Sequence, residues 1–106
     1  MSETINPEMQ TLLELDRVIH EPARLVILTV CASAEEVEFK FLETTTGLSK
    51  GNLSSHISKL EQVGYLEVFK AFRNKMPVTS FRITKTGRDA LAAYWTALRG
   101  LIPNGS

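Results

Sequence analysis

The 106 residues include a single cysteine, Cys31, so no disulfide can close within the chain and no CxxC pair is on offer to a metal. Histidine is nearly as scarce: His20 and His56 are the only two, and they fall on different expected elements. No serine, histidine and acid stand in a recognisable catalytic motif, and no glycine-rich phosphate loop follows a strand. An enzyme is therefore not expected, nor is a cofactor. No apolar run approaches the ~20 residues that span a bilayer, and no basic stretch precedes an apolar one near the N-terminus. A reducing, cytoplasmic setting without membrane insertion is the expectation. Net charge is absent too, since 12 basic and 12 acidic groups cancel and the pI is near 6.7. Those totals give no support to a polyanionic partner.

Charge placement gives more. Residues 1–48 carry three basic groups against nine acidic, whereas residues 49–88 carry eight basic groups against two acidic. A chain polarised in this way can turn a positive surface to DNA while its acidic half faces away. The length and the 43% hydrophobic content suit one small domain over residues 1–106, with a modest core and no room for a separate catalytic unit. Residues 1–7 and 103–106 are expected to be flexible.

The most informative stretch is SKGNLSSHISKLEQVG, residues 49 to 64. Ser49 can cap a helix by accepting a bond from an orphan N–H, and Gly64 suits an exit through the left-handed region. Leu53, Ile57 and Leu60 recur at four and three and form a buried stripe, while Asn52, Ser55, Lys59 and Gln62 form a small, polar, basic face. Such a face fits the floor of a DNA major groove, where short side chains allow close approach. It also fits an ordinary solvated helix surface, and this helix alone does not separate the two.

Around it, a first helix is expected from about Glu8 to Ile19, with more apolar positions than one core stripe needs. A second, from Pro22 to Ala34, contains the near-continuous run LVILTVCA and should be central, with Cys31 as a small apolar filler. The segment VEF after Glu36 can add an edge strand. A short helix over 40–46, with Phe41 and Leu42 turned inward, then leads through Gly47 into the Ser49 helix, which makes a helix-turn-helix. After Gly64 the hydrophobic period falls to about 2. Tyr65 to Phe72 and Val78 to Ile83 read as strands of a hairpin, with Arg73, Asn74, Lys75, Met76 and Pro77 as its basic tip and Pro77 delaying the second strand. That tip can reach phosphates or a minor groove, or can simply be a solvated loop. Thr84 caps a last helix whose stripe of Leu91, Tyr94, Trp95, Leu98, Leu101 and Ile102 runs roughly 25 Å. With Leu12, Leu15 and Ile19 of the first helix, this stripe is read as a dimer interface; Tyr94 and Trp95 are packing residues rather than a cofactor box.

The chain resembles a winged helix-turn-helix transcriptional regulator, most similar to the small MarR-like and ArsR-like proteins that are little more than a DNA-binding domain. The residues that carry the likeness are LDRVIHEPARLVIL at 15–28, TTGLSKGNLSSHISKLEQVGYLEV at 45–68 and TSFRITKTGRDAL at 79–91. The resemblance implies an α+β, mainly α fold: a winged helix with a two-stranded wing and a long C-terminal dimerisation helix. It also implies a homodimer on a near two-fold operator of double-stranded DNA. By the family pattern the DNA contacts fall on Ser49, Lys50, Gly51, Asn52, Ser55, His56 and Lys59 of the helix and on Arg73, Asn74 and Lys75 of the wing. The departure is in the metal ligands: one Cys and two distant His do not supply the clusters of ArsR-like sensors. The function expected is a sequence-specific regulator, acting as a repressor. The alternative is a winged-helix protein-interaction module that binds no DNA.

Overall fold

A computed structural model describes residues 6–102; of the ends expected to be flexible, 1–5 and 103–106 lie outside that range, whereas Asn6 caps and Pro7 opens the first helix, because the Asn6 side chain accepts from the N–H groups of Glu8 and Met9. Five helices and three strands follow in the order α1 (Pro7–Leu13), α2 (Pro22–Ala32), β1 (Val37–Glu38), α3 (Phe39–Thr46), α4 (Lys50–Gln62), β2 (Leu66–Arg73), β3 (Met76–Ile83) and α5 (Lys85–Arg99). The strands form one antiparallel sheet in the order β1-β3-β2. No helix among the described residues is long and apolar enough to cross a membrane.

Local chemistry accounts for most boundaries. Pro22 opens α2 where its missing N–H is not needed, and the Glu21 carboxylate accepts from the N–H groups of Ala23 and Arg24. The apolar run makes α2 central: Ile27 and Leu28 are fully buried, and burial pushes the Cys31 thiol up to about 12, which keeps it protonated and unreactive. At the end of α4, Gly64 takes φ 83° and Tyr65 N–H bonds back to Leu60 C=O at 2.9 Å, the double-wound stop that glycine permits. Thr84 Oγ1 accepts from Gly87 N–H at 2.9 Å and donates to Gly64 C=O at 2.6 Å. That one hydroxyl ties the start of α5 to the end of α4. Gly87 is buried against the same corner, where a Cβ would run into the Tyr65 carbonyl oxygen.

Four expectations need correction. The first helix stops at Leu13, not Ile19, because Asp16 Oδ1 accepts from the N–H groups of Val18 and Ile19 and holds the chain in a turn. The other Asp16 oxygen accepts from the Tyr65 hydroxyl, and burial with that bond raises the Tyr65 pKa to about 12. Phe41 points outward at 56% exposure while Leu42 is buried, since adjacent helical positions cannot share one face. Pro77 does not delay β3. It lies within the strand opposite Phe72, next to the closing Arg73–Met76 pair, so its missing donor faces away from β2. Two groups of the acidic half do not face away, because Glu36 and Glu38 pair with Arg82 and Arg73 of the sheet.

Candidate nucleic-acid interface

Helix α4 is aimed by its apolar stripe. Leu53 and Leu60 are fully buried and Ile57 is 5% exposed, which forces the other side of the cylinder outward. Ser49 caps it by accepting from Asn52 N–H at 3.2 Å. Ser49, Lys50, Gly51, Asn52, Ser55 and Lys59 are all exposed, as are Ser54 and Ser58, which the sequence reasoning passed over. Ser58 lies three residues from Ser55 and seven from Gly51, so the helical period alone places it on this face.

Gly51 has ordinary helical geometry, and a Cβ added there would meet nothing within 4 Å. The fold gives no reason for glycine at a helical position that would favour alanine by about 1 kcal/mol. What the glycine does is bare the backbone of the outer face.

His56 is placed differently. It turns toward α2, with Nδ1 3.3 Å from Glu21 Oε2 and 3.4 Å from an Arg24 guanidinium nitrogen. Burial opposes ionisation of Glu21, but the N–H bonds from Arg24 and Ala23 and the charges of His56 and Arg24 outweigh it and hold this carboxyl below its usual value. His56 thus braces α4 against the N-terminus of α2 instead of extending the outer face.

The hairpin after α4 closes in two residues. Asn74 and Lys75 take φ 53° and 67°, the left-handed pair that matches the strand twist. Asparagine tolerates this region, but glycine suits the second position far better than lysine does. A charge is thus kept at the apex against the local backbone preference. Arg73, one residue earlier, is not free. Its guanidinium donates two bonds of 2.9 Å to the Glu38 carboxylate, which lies well below the usual glutamate range because of them. In parallel, Ser80 and Arg82 hold Glu36 low, and the Arg82 guanidinium lies 4.8 Å from the centre of the Phe69 ring.

A groove of about 370 Å³ lies between α3 and the hairpin, lined by Glu38 and Glu43 as well as by Lys40, Arg73, Pro77 and Thr79; of α4 it touches Lys50, the first helical residue. The N-terminus of α4 therefore borders the same groove as the outer part of the hairpin. Residues 23–102 match a protein-family model described as a winged helix DNA-binding domain. The chain belongs to the winged helix DNA-binding domain family. An uncharacterized protein of Methanocaldococcus jannaschii is 32% identical over 78 residues, covering 74% of this winged helix chain and 85% of the relative. In fold the chain is similar to a transcriptional regulator homologue of Pyrococcus horikoshii (TM-score 0.82, 24% identity, 91% of this chain and 94% of that one). It is also similar to MarR (TM-score 0.71, 16% identity, 89% and 68%) and to an ArsR family transcriptional regulator (TM-score 0.56, 17% identity, 95% of each). In this winged helix, α3 and α4 form the helix-turn-helix and the β2–β3 hairpin is the wing.

The residues expected at a dimer interface divide into two sets. Ile19 is fully buried in its own chain, and Leu15, Leu91 and Tyr94 are 4–8% exposed, with the Tyr94 hydroxyl 2.8 Å from His20 Nδ1. These four are core residues with almost no surface left for a partner. Leu12 is 44% exposed, and Trp95, Leu98 and Leu101 are half-buried. Met9 and Leu13 of α1 and Ile102 after α5 are 55%, 69% and 54% exposed.

Proposed function

We propose that this protein is a dimeric, sequence-specific regulator of transcription in the cytoplasm that binds double-stranded DNA and represses by occupying a promoter. The observation that carries the reading is the groove that Lys50, the first residue of the helix we read as the recognition helix, shares with Arg73 of the wing. Two departures from local preference support it: Gly51 where the helix favours alanine, and Lys75 where the turn favours glycine. Such departures are expected where function rather than folding chooses the residue. Asn52 and Ser55, with Ser54 and Ser58, read base edges; Lys50, Lys59 and Lys75 bind phosphates. Arg73 acts as a strut between wing and β1. Self-association uses the exposed apolar side chains of α1 with the end of α5, which brings two recognition helices to successive major grooves.

Selection of bound sequences from a random DNA pool, followed by titration at two salt concentrations, tests this. Two half-sites about 10 base pairs apart, centre to centre, are expected. Lys59→Ala should weaken binding to all sequences and lower the salt slope by about 1, while Asn52→Ala should blunt discrimination at one base position. A chain that shows no salt-dependent duplex binding is an interaction module instead.

A further inference from the structure

Phe72 is 78% exposed, more than any other large hydrophobic side chain of the described residues. Its position follows from the strand period. Leu66, Val68, Lys70 and Phe72 share one face of β2; Leu66 is 2% exposed and Val68 half-buried, but Lys70 and Phe72 are exposed. The strand has outrun the core, and a phenyl ring at that point does nothing for folding. Across the ladder Phe72 faces Pro77, which lines the groove that holds Lys50. The ring therefore lies on the sheet face that carries Leu66 and Phe81 into the core, beyond the last buried residue and toward the tip of the wing.

We infer that Phe72 is a DNA-contacting residue of the wing, its ring entering the minor groove and packing on deoxyribose and base edges beside Lys75. The inference rests on the DNA-binding reading and adds to it a residue that reads the groove without a charge. Charge complementarity chooses the occupant. Lys70 and Lys75 flank the ring and are exposed, so an apolar protein partner would have to strip water from two ammonium groups. A minor groove meets both needs, with phosphates along its rims and apolar sugar and base surface between them. The wing is also rigid enough to deliver the ring, since the turn is two residues long and the neighbouring Arg73 is fixed to Glu38 by two bonds. Little ordering entropy is lost on contact. A ring that partly unstacks a base step favours flexible pyrimidine–purine steps, so the wing contributes sequence preference through deformability.

The test uses a fluorescein-labelled duplex recovered by selection against the wild-type chain. Phe72→Ala should bind it about ten-fold more weakly, the lower part of the range for loss of one aromatic–base contact. The salt slope should not change, since no phosphate contact is lost, whereas Lys75→Ala should lower the slope by about 1. The thermal midpoint should stay at the wild-type value, because an exposed side chain is removed. A Phe72→Trp variant should retain binding and show a change in emission on duplex addition beyond that of the wild-type chain, whose tryptophan is Trp95. Wild-type affinity in Phe72→Ala, or a changed oligomeric state in size-exclusion chromatography, overturns the inference while leaving DNA binding in place. Absence of salt-dependent duplex binding by the wild-type chain removes both.

Discussion

Replacing Glu38 by glutamine should tighten DNA binding and make it more sensitive to salt. In the wild-type chain the Arg73 guanidinium spends two hydrogen bonds of 2.9 Å on the Glu38 carboxylate, and both side chains remain substantially exposed at 61% and 40%. An exposed pair of this kind is weak, so it holds the arginine by proximity more than by strength. Glutamine keeps the shape and one acceptor oxygen but removes the charge that competes with phosphate. Each phosphate neutralised steepens the dependence of log K on log salt by about 0.9. One extra contact by Arg73 therefore changes affinity about 3.5-fold more than in the wild type across a fourfold change in salt. Fluorescence anisotropy titrations at 3 or more salt concentrations (about 50 to 200 mM) measure the slope directly. Arg73→Ala should leave the wild-type slope nearly unchanged and should cancel the gain in the Glu38→Gln background, a cycle that separates the pair from the general loss of negative charge. A full 0.9 drop in slope for Arg73→Ala alone would show that Arg73 already leaves Glu38 for a phosphate, and the strut would be refuted.

Two glycines should respond in opposite directions. Gly51→Ala should raise stability by about 0.5–1 kcal/mol in urea unfolding while weakening DNA binding, because the new methyl has open space in the free protein and occupies the outer face. Gly87→Ala should lower stability by ~1–3 kcal/mol, since its methyl displaces α5 from the Tyr65 carbonyl; an unchanged midpoint would contradict that packing. Leu13→Asp should give monomers by analytical ultracentrifugation that keep the wild-type far-UV circular dichroism, because Leu13 is 69% exposed in its own chain, and persistence of dimers would move the interface elsewhere. In alkali, Tyr65 keeps its proton to about 12 in the fold but only to 10.0 as a free side chain. A raised folded value means that its stabilisation is complete below 10.0 and is lost as the pH climbs through about 12. Thermal midpoints should fall across that window, and Tyr65→Phe should flatten the fall in part, with buried Cys31 contributing in the same direction.

The limits of α4, the positive-φ glycines at 47 and 64 and the Thr84 cap were legible in the amino acids alone, because caps and apolar spacing act within one or two turns of chain. The wing was legible as a change of period, and the family as an order of blocks. The same local signals misled where they ran on past their cause. Apolar spacing continued through Asp16, so α1 was read six residues too long, and the fate of Leu15 and Ile19 depended on that turn swinging them into the core. Tertiary structure alone decided that Arg73 is spent on Glu38, 35 residues away, and that His56 serves α2 rather than the outer face. Charge counts along a chain say how much of each sign is present; which charges neutralise one another is set by how the sheet lays β1 beside β3, and that distance is not written in sequence spacing.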